Sequence, residues 1–392
     1  MLFGHRDDAI YERQIKTDHT LLGDRNGCEN RNYSPDKIQG WPILIGCIQH
    51  VLSPHQYLYH ALLSRSEEMR QAMAEPRKHH YVPQMHLSGF ANAKGQLWAS
   101  DASIPKAFRT GPGNIAVERD WNKIDIDGVP PDALEKELAK LEGVIAPGIK
   151  RVRETVSFGK NGEDREDIIN LITLLAVRNL RIRGGIQQVE TEMLRAMLVA
   201  PFEDPKRWDA LVDQLKAMKQ WPEGAPVDFE GHKKYVEENK DELHPHKNLT
   251  LEMELEALPK MYPLFDARRW RILKAKDGSG GFVTTDHPVC FHKPGARVNY
   301  GQLYAPGFGL ADRDIVFPIS SATCLVGRLE GQEDAIEVDL HNVASINATV
   351  MGFALKQIYS ADDQFYYTRS PHEPIGRGFT LLQDTHFVVR ED

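Results

Sequence analysis

The sequence predicts an α+β fold, with buried helices in the middle, short strands before them and a mostly antiparallel sheet after them. Two observations indicate this fold. Apolar residues recur at helical spacing between about residues 133 and 265, whereas strand-like alternation marks the segments on either side. The sequence contains no internal repeat and no low-complexity run, so these elements are expected to form a globular protein.

The composition excludes several classes of protein. The 392 residues carry a formal net charge of −8, which argues against a generally basic nucleic-acid coat protein but leaves a local basic groove open. The four cysteines have no zinc-site spacing, and the first residues lack the apolar core of a secretory signal. Because the longest apolar stretches are also too short to span a bilayer, we expect a soluble, cytoplasmic protein with no membrane partner.

Three regions are expected along the chain. Residues 1–75 show no sustained hydrophobic period, so they are interpreted as a poorly ordered extension or an over-long start, with a small helical cap as the alternative. Residues 76–361 are expected to form one α+β domain, followed by a C-terminal tail over residues 362–392.

Short strands and a first long helix are predicted after the N-terminal region. Gln96 to Ser100 alternates like a strand, and Trp121 to Ile126 is a second strand candidate. Asp132 has the character of a helix N-cap, and the residues after it form an apolar stripe. Pro147 is expected to kink or divide that helix.

The central helix is predicted over Asp164 to Ile182, where apolar residues cover nearly all faces and indicate burial. Further helices are predicted at about 186–199, 205–219 and 248–265. The polar stretch from Pro222 to Lys247 has the composition of a surface loop or lid.

The last third has the pattern of strands. Trp270 to Ala275 and Phe282 to Thr285 flank a glycine-rich turn and predict a hairpin. The remaining predictions are one or two strands over Ile315 to Arg328, a helix over Asn342 to Lys356 and a final strand over Gln357 to Tyr359.

The segment His79 to Gln84 is the first candidate for a functional site. Pro83 favours an extended backbone before it, so His80 and Gln84 are expected to point one way and His79 and Tyr81 the other. One histidine could then serve as a metal ligand, general acid or general base. The alternative is structural, because no zinc-ligand pattern is completed nearby and the histidines could simply lock a turn.

Two further candidates carry charge. Asp286 and His287 follow a predicted strand, where they could bind a metal or orient a base, although a turn closed by Pro288 is the alternative. Arg178 ends an apolar helix and needs either an anionic ligand such as phosphate or a salt bridge, for example to Glu118 or Glu135. The motifs of common ATPases, dehydrogenases, metalloproteases and esterases are absent from the sequence.

These motifs together resemble domain-of-unknown-function family 4238 over roughly residues 77–360. The resemblance rests on an opening HHYVPQ segment, a "TSDNP"-like element and an "FPIS" element, among others. The matching residues are His79 to Gln84 with Leu87 and Phe90, Gly113 to Trp121, Leu134 with Glu135 and Leu138, Arg178 to Arg181, Thr284 to Pro288 and Phe317 to Ser320. The sequence departs from the pattern at His287, where the family usually has Asn, and at Trp121, where Tyr is usual.

The resemblance implies an uncharacterised bacterial protein and no established reaction. Because the signature contains polar residues at His80, Gln84, Glu118, Arg178 and Asp286, it also implies that these five meet in one site.

Two hypotheses of function follow from these candidates. The first is a hydrolase acting on a phosphodiester as a nuclease does, with a divalent metal ion as its candidate cofactor. His80 and Gln84 would lie in the catalytic site, Arg178 would bind phosphate, and Glu118 and Asp286 would hold a divalent ion. The second is a binding or partner module without enzymatic activity, in which the same polar residues stabilise the fold.

Overall fold

The computed structural model describes residues 78–126, 129–160, 162–219, 221, 224, 226–241, 244–292, 307–369 and 373–384. The expectation for residues 1–75 lies outside these residues. Within them, helices occupy the middle of the chain and mostly antiparallel strands lie before and after, so the predicted α+β class is confirmed.

Helices of very different length make up the central part. The described α-helices are α1 (Gln84–Leu87), α2 (Ala133–Thr155), α3 (Glu163–Val177), α4 (Leu180–Val199), α5 (Pro205–Ala217), α6 (Phe229–Asn239), α7 (Lys247–Asp266) and α8 (Leu340–Met351). Helices α4, α5 and α7 confirm the three predictions that follow the central helix.

Helix α2 continues through Pro147. The prediction that this proline divides the helix is therefore wrong. Its apolar stripe is buried along the whole length, from Leu134 to Val152, and this packing holds the helix together across the proline. Helix α3 packs closely against α2 at Gly148, where a Cβ atom would collide with the carboxylate of Asp167.

The central helix ends earlier than predicted. Arg178 leaves the helical region with φ −98° and ψ 74°, and α4 begins after Asn179. The Asn179 side chain accepts a hydrogen bond from the backbone N–H of Ile182 at 3.0 Å, so it is the N-cap of a new helix. The apolar pattern of the two helices concealed this break, which places Arg178 at a junction.

The predicted loop from Pro222 to Lys247 contains helix α6. Asp228 caps it by accepting from the backbone N–H of Gly231 at 3.0 Å. Only Val236 of this helix is buried, and so the polar composition hid a helix that lies on the surface.

The described strands form one five-stranded, one four-stranded and two two-stranded sheets. The strands are β1 (Lys78–His80), β2 (Leu97–Asp101), β3 (Lys106–Thr110), β4 (Val117–Arg119), β5 (Arg269–Ala275), β6 (Thr284–Thr285), β7 (Cys290–His292), β8 (Asp314–Pro318), β9 (Thr323–Arg328), β10 (Ala335–Val338), β11 (Gln357–Ser360), β12 (Tyr366–Tyr367) and β13 (Gly376–Arg377).

Long-range pairing organises these sheets. The five-stranded sheet has the order β10-β5-β9-β8-β7, in which β10 and β5 are parallel and the other pairs antiparallel. The four-stranded sheet has the order β3-β2-β11-β6, and the two small sheets are β1-β4 and β12-β13.

The predicted hairpin of Trp270 to Ala275 with Phe282 to Thr285 is wrong. Strand β5 pairs with β9 and β10, whereas β6 pairs with β11 in another sheet. The amide of Phe282 donates to the Ser321 carbonyl at 2.7 Å, and that of Val283 donates to Asn347 Oδ1 at 3.0 Å. These partners draw the second arm away from β5.

The predicted strand at Trp121 to Ile126 is also absent, because side chains and nearby loop carbonyls, rather than a neighbouring strand, accept from its amides. The backbone N–H of Asn122 donates to His79 Nδ1 at 2.8 Å, and that of Asp125 donates to Asn248 Oδ1 at 3.1 Å. This non-repetitive segment therefore carries polar contacts that a strand would not allow.

Part of the expected tail belongs to the core. The side chains of Phe365, Tyr367 and Leu381 are buried in the hydrophobic cluster that includes Val343 and Val350 of α8. The packed structure therefore extends beyond the predicted boundary at residue 361. None of the described helices is long and apolar enough to cross a membrane.

Candidate functional site

The ribbon formed by β1 and β4 separates the two histidines. In its antiparallel register, Lys78 lies opposite Arg119, His79 opposite Glu118 and His80 opposite Val117. Side chains of directly opposed residues share a face, and successive residues alternate between faces. Lys78, His80, Val117 and Arg119 therefore form one face, here called the His80 face, and His79 lies with Glu118 on the other.

His80 and Gln84 are in contact, but the extended backbone predicted between them is wrong. The strand ends at His80, and Gln84 is the first residue of α1, with Pro83 as its N-cap. A turn thus brings His80 Nε2 to 2.9 Å from Gln84 Nε2, so the imidazole nitrogen accepts from the Gln84 amide. Gln84 is exposed and His80 is partly buried, which leaves this pair at the protein surface.

Burial lowers the pKa of His80, and the nearby carboxylate of Glu135 opposes this effect only in part. The ring is therefore neutral at neutral pH, and a neutral imidazole can accept a proton.

The opposite face leads into a network of buried and partly buried side chains that we call the Arg178 network: His79, Asn122, Glu135, Glu142 and Arg178. Asn122 is its centre. Its backbone N–H donates to His79 Nδ1, its Nδ2 donates to Glu135 Oε2 at 2.5 Å, and its Oδ1 accepts from Arg178 Nη2 at 2.6 Å. Asn122 is fully buried, and it joins β1 through its backbone N–H and joins α2 to the α3–α4 junction through its side-chain amide.

Charge is concentrated around Arg178. Its side chain is 3% exposed, and burial lowers its pKa to about 10, with Glu254, Glu142 and Glu135 acting in the opposite direction. It remains protonated at neutral pH. The sequence-based alternative of a salt bridge to Glu118 or Glu135 is realised indirectly, because Asn122 bridges Arg178 and Glu135.

Glu142 lies one heptad after Glu135 on α2 and has the most unusual carboxyl group of the network. Burial raises its pKa to about 7, Glu135 adds to this rise and Arg178 opposes it. The sequence reasoning missed Glu142. The available signal was its position beside the apolar stripe of α2, at i+7 from Glu135.

A second buried ion pair lies beside this network. Arg183 of α4 forms a two-pronged pair with Glu254 of α7, and its Nη1 donates to the Trp121 carbonyl at 2.5 Å. Its guanidinium also lies 3.5 Å from the centre of the Trp121 ring. The tryptophan that replaces the family's usual tyrosine therefore has a cation–π role that needs no hydroxyl.

Asp286 has a different environment, which we call the Asp286 cradle. Its carboxylate is fully buried and accepts from the backbone amides of Leu355, Lys356 and Gln357 at 2.8, 2.7 and 3.0 Å. Burial raises the pKa of Asp286, and these three hydrogen bonds lower it. The cradle thus fixes the turn before β11 to the end of β6.

His287 is also part of the packed interior. Its Nδ1 lies 2.9 Å from Asn179 Oδ1, and its ring stacks on Phe353 with centroids 5.5 Å apart. Burial and the charge of Arg181 lower its pKa to about 3. The residue therefore donates a hydrogen bond to the cap of α4 as a neutral imidazole.

The structure thus divides the five residues expected to form one site. His80 and Gln84 are in contact, and Glu135 lies near both His80 and Arg178. Glu118 is on the opposite face of the ribbon, and Asp286 is in its own cradle.

The expectation of a divalent ion at Glu118 and Asp286 stays a prediction. Across the described residues, no group of three or more His, Cys, Asp or Glu side chains is arranged to hold a metal ion. The oxygens of Asp286 already accept from three amides, which compete with metal coordination.

Comparison with known proteins supports the resemblance seen in the sequence. No curated protein and no solved structure matches this chain. Residues 78–364, well over half of the chain, match the model of a family described as "Protein of unknown function (DUF4238)". The matched segment runs from β1 to the residues just before β12 and so contains the His80 face, the Arg178 network and the Asp286 cradle. The chain therefore belongs to the DUF4238 family.

Proposed function

We propose that this protein is a hydrolase acting on a phosphodiester, in the manner of a nuclease, and that substrate binds on the His80 face. One observation carries the proposal. A neutral, partly buried imidazole shares one face of the β1–β4 ribbon with two exposed cations, Lys78 and Arg119, that lie directly opposite each other.

The arrangement of the cations favours a polyanionic substrate. Like charges directly opposite each other across two strands are destabilising. Neither Lys78 nor Arg119 forms an ion pair within the part of the chain that the structure describes. A bridging phosphate would relieve this repulsion and place its ester bonds beside His80.

A further cation, Lys247, contacts the backbone at the residue after Arg119. The Nζ of Lys247 donates to the Asp120 carbonyl, and burial followed by the charges of Arg183 and Lys123 lowers the pKa of Lys247. Because the whole chain carries −8, the local group of Lys78, Arg119 and Lys247 supports binding of an extended anion at one place rather than general attraction to nucleic acid.

His80 supplies the general base in the proposed reaction. Its Nε2 exchanges the hydrogen bond from Gln84 for one from the attacking water and takes a proton from that water, whose oxygen forms a bond to phosphorus. The bond from phosphorus to the leaving ester oxygen breaks, and that oxygen needs a proton. Gln84 orients the imidazole before attack.

The leaving oxygen takes that proton from solvent water. Arg178 lies in the network behind the ribbon, where it is joined through Asn122 to Glu135, the carboxylate whose charge acts on His80. A metal ion at Glu118 and Asp286 is not part of this proposal, because those side chains lie away from the His80 face.

A nuclease assay tests the proposal. Purified protein would be incubated with labelled single-stranded and duplex RNA and DNA, with Mg²⁺ or Mn²⁺ and separately with EDTA. We expect cleavage of at least one polymer, a loss of about 100-fold or more in His80→Ala, and no loss in the matched variant of an exposed histidine, His341→Ala. The acid limb of the kcat/KM profile should lie below pH 6.5, because burial lowers the pKa of His80 from that value.

Absence of cleavage under every condition would contradict the proposal, as would full activity of His80→Ala.

A second candidate is a nucleic-acid-binding module without catalysis. The Asp286 cradle favours it, because there a residue of the family signature has a structural role. In that case the wild type would bind an oligonucleotide through Lys78 and Arg119 without turnover, and His80→Ala would bind nearly as well.

A further inference from the structure

A second concave site lies far along the chain from the His80 face, on the five-stranded sheet. A pocket of about 280 Å³, open to solvent on one side, is lined by residues of strands β5, β7, β8, β9 and β10, of the turn after β9 and of helix α8. This volume is just below the range of roughly 300–1,000 Å³ found for small-molecule sites, so the pocket suits a small ligand.

One rim of the pocket is a row of polar residues in register across four strands. His292 of β7 lies opposite Asp314 of β8, Arg328 of β9 donates to Asp314 at 2.7 Å, and Arg269 of β5 lies opposite Arg328. All four side chains line the pocket. The row therefore runs from a histidine through an ion pair to an arginine.

Two of the three arginines that line the pocket form ion pairs, and the third forms none within the described ranges. Arg328 has Asp314 as its partner, and Arg271, also in the pocket, forms a two-pronged pair with Asp334 at 2.5 and 3.0 Å. Arg269 has no ion pair with any residue that the structure describes. It also faces the like charge of Arg328 directly across the strands, which is unfavourable without an anion.

His292 offers a further polar group. Its Nδ1 is buried and has no hydrogen-bonding partner among the described residues. Buried polar atoms are seldom left without a partner in folded proteins, so a ligand that accepts a hydrogen bond would satisfy this nitrogen.

The floor and one wall of the pocket are apolar. Leu273, Val316 and Val326 are buried beneath it, and Ile336 of the edge strand is 38% exposed at its side. A ligand with an apolar body would cover this surface, since burial of apolar area favours binding.

We propose that this pocket binds a small monocarboxylic acid with an apolar body, whose carboxylate pairs with Arg269. The planar guanidinium matches a carboxylate with two parallel hydrogen bonds. Asp314 and Glu330 also line the pocket, and their negative charges disfavour a doubly charged phosphate. The proposal is independent of the phosphodiester chemistry on the His80 face, because the two sites share no residue.

Calorimetric titration of the full chain with phenylacetate tests the pocket, with phenylacetamide and inorganic phosphate as comparison ligands. We expect the wild type to bind phenylacetate, and to bind the neutral amide and phosphate at least about tenfold more weakly. Arg269→Gln should weaken phenylacetate binding by about tenfold or more, because it removes the charge-assisted pair.

Two further variants complete the experiment. Lys274→Gln removes a positive charge from the other face of the same strand, where Lys274 pairs with Glu337, and should leave the Kd unchanged. Ser345→Trp places a large ring in the pocket from an exposed position on α8 and should abolish binding while the protein remains folded. Failure of phenylacetate to bind the wild type, or equal binding by Arg269→Gln, would overturn the proposal.

Discussion

The His80 face and the Asp286 cradle contain the same kinds of polar residue but differ in how far these are satisfied. In the cradle, a fully buried carboxylate accepts from three backbone amides. On the His80 face, two exposed cations oppose each other beside a partly buried imidazole whose hydrogen-bonding partner is an exposed glutamine. A satisfied buried group stabilises the fold, whereas an unsatisfied group near the surface is available to a ligand. We therefore expect substitutions in the Asp286 cradle to reduce stability and substitutions on the His80 face to reduce function.

The largest expected effect is on the cradle. Asp286→Ala leaves three inward-facing amides without an acceptor, and we expect the free energy of unfolding to fall by about 3 kcal/mol or more. Chemical denaturation would measure this fall. Asp286→Asn retains one oxygen acceptor and should lose less. A change below about 1 kcal/mol in Asp286→Ala would remove the structural role that we assign to the cradle.

The next effect is on the His80 face. His80→Ala and Gln84→Ala should each change the free energy of unfolding by less than about 1 kcal/mol, since both side chains reach the surface. Gln84→Ala should nevertheless reduce kcat more than KM, because it orients the base rather than binding substrate. Denaturation curves and steady-state kinetics on the same preparations check this. A large loss of stability in both variants would mean that the two regions do not differ.

Glu142 provides a pH-dependent contrast. Its pKa in the folded protein is raised from 4.5 to about 7, so the folded state binds more protons than the unfolded state between these values. The stability contributed by protonated Glu142 is therefore present below pH 4.5 and is lost as the pH rises to about 7. We expect Glu142→Gln to become progressively more stable relative to the wild type across that window.

Denaturation of both proteins from pH 4 to 9 measures this difference. Glu154→Gln, which changes an exposed carboxylate on the same helix, is the matched control and should show no such trend. A constant difference between Glu142→Gln and the wild type would contradict the burial of this carboxyl group.

The smallest effect is on binding by the opposed cations. Lys78→Ala and Arg119→Ala should each weaken binding of an oligonucleotide severalfold and reduce the slope of log K against log salt by about 1. Each variant should also be slightly more stable than the wild type, because one of two opposed like charges is removed. Lys106→Ala, at an exposed position on β3, is the control. Unchanged salt dependence in both variants would exclude the His80 face as the anion-binding surface.

The sequence predicted the composition of the fold better than its connections. Periodicity identified α4, α5 and α7 closely, because burial on one side of a helix imposes a regular pattern. It did not reveal that β5 and β6 belong to different sheets, since the partners that separate them, Ser321 and Asn347, are distant in sequence. It also missed the helix break at Asn179, where a single capping side chain overrides the apolar pattern.

The candidate site was predicted only in part, because contacts between residues distant in sequence also decide which side chains meet there. Local spacing placed His80 and Gln84 on one side, but the extended backbone behind that prediction is wrong, because a turn and the start of α1 bring the two side chains together. Alternation along one strand does not give the register with its neighbour, so the separation of Glu118 from His80 was hidden. Glu142 was missed because a glutamate on a helix usually faces water, and only tertiary packing buries this one.

The pairing of β2 with β11 has a consequence for synthesis of the protein. Asp101 and Gln357, which join these strands through a side-chain hydrogen bond, are 256 residues apart. At about 5–20 residues per second, a ribosome needs roughly 10–50 s to make the chain between them. During that time the edge of β2 that pairs with β11 has no partner, and exposed strand edges can pair with other chains and cause aggregation. A message truncated before codon 357 would therefore release a product prone to aggregation, however completely its helices had formed.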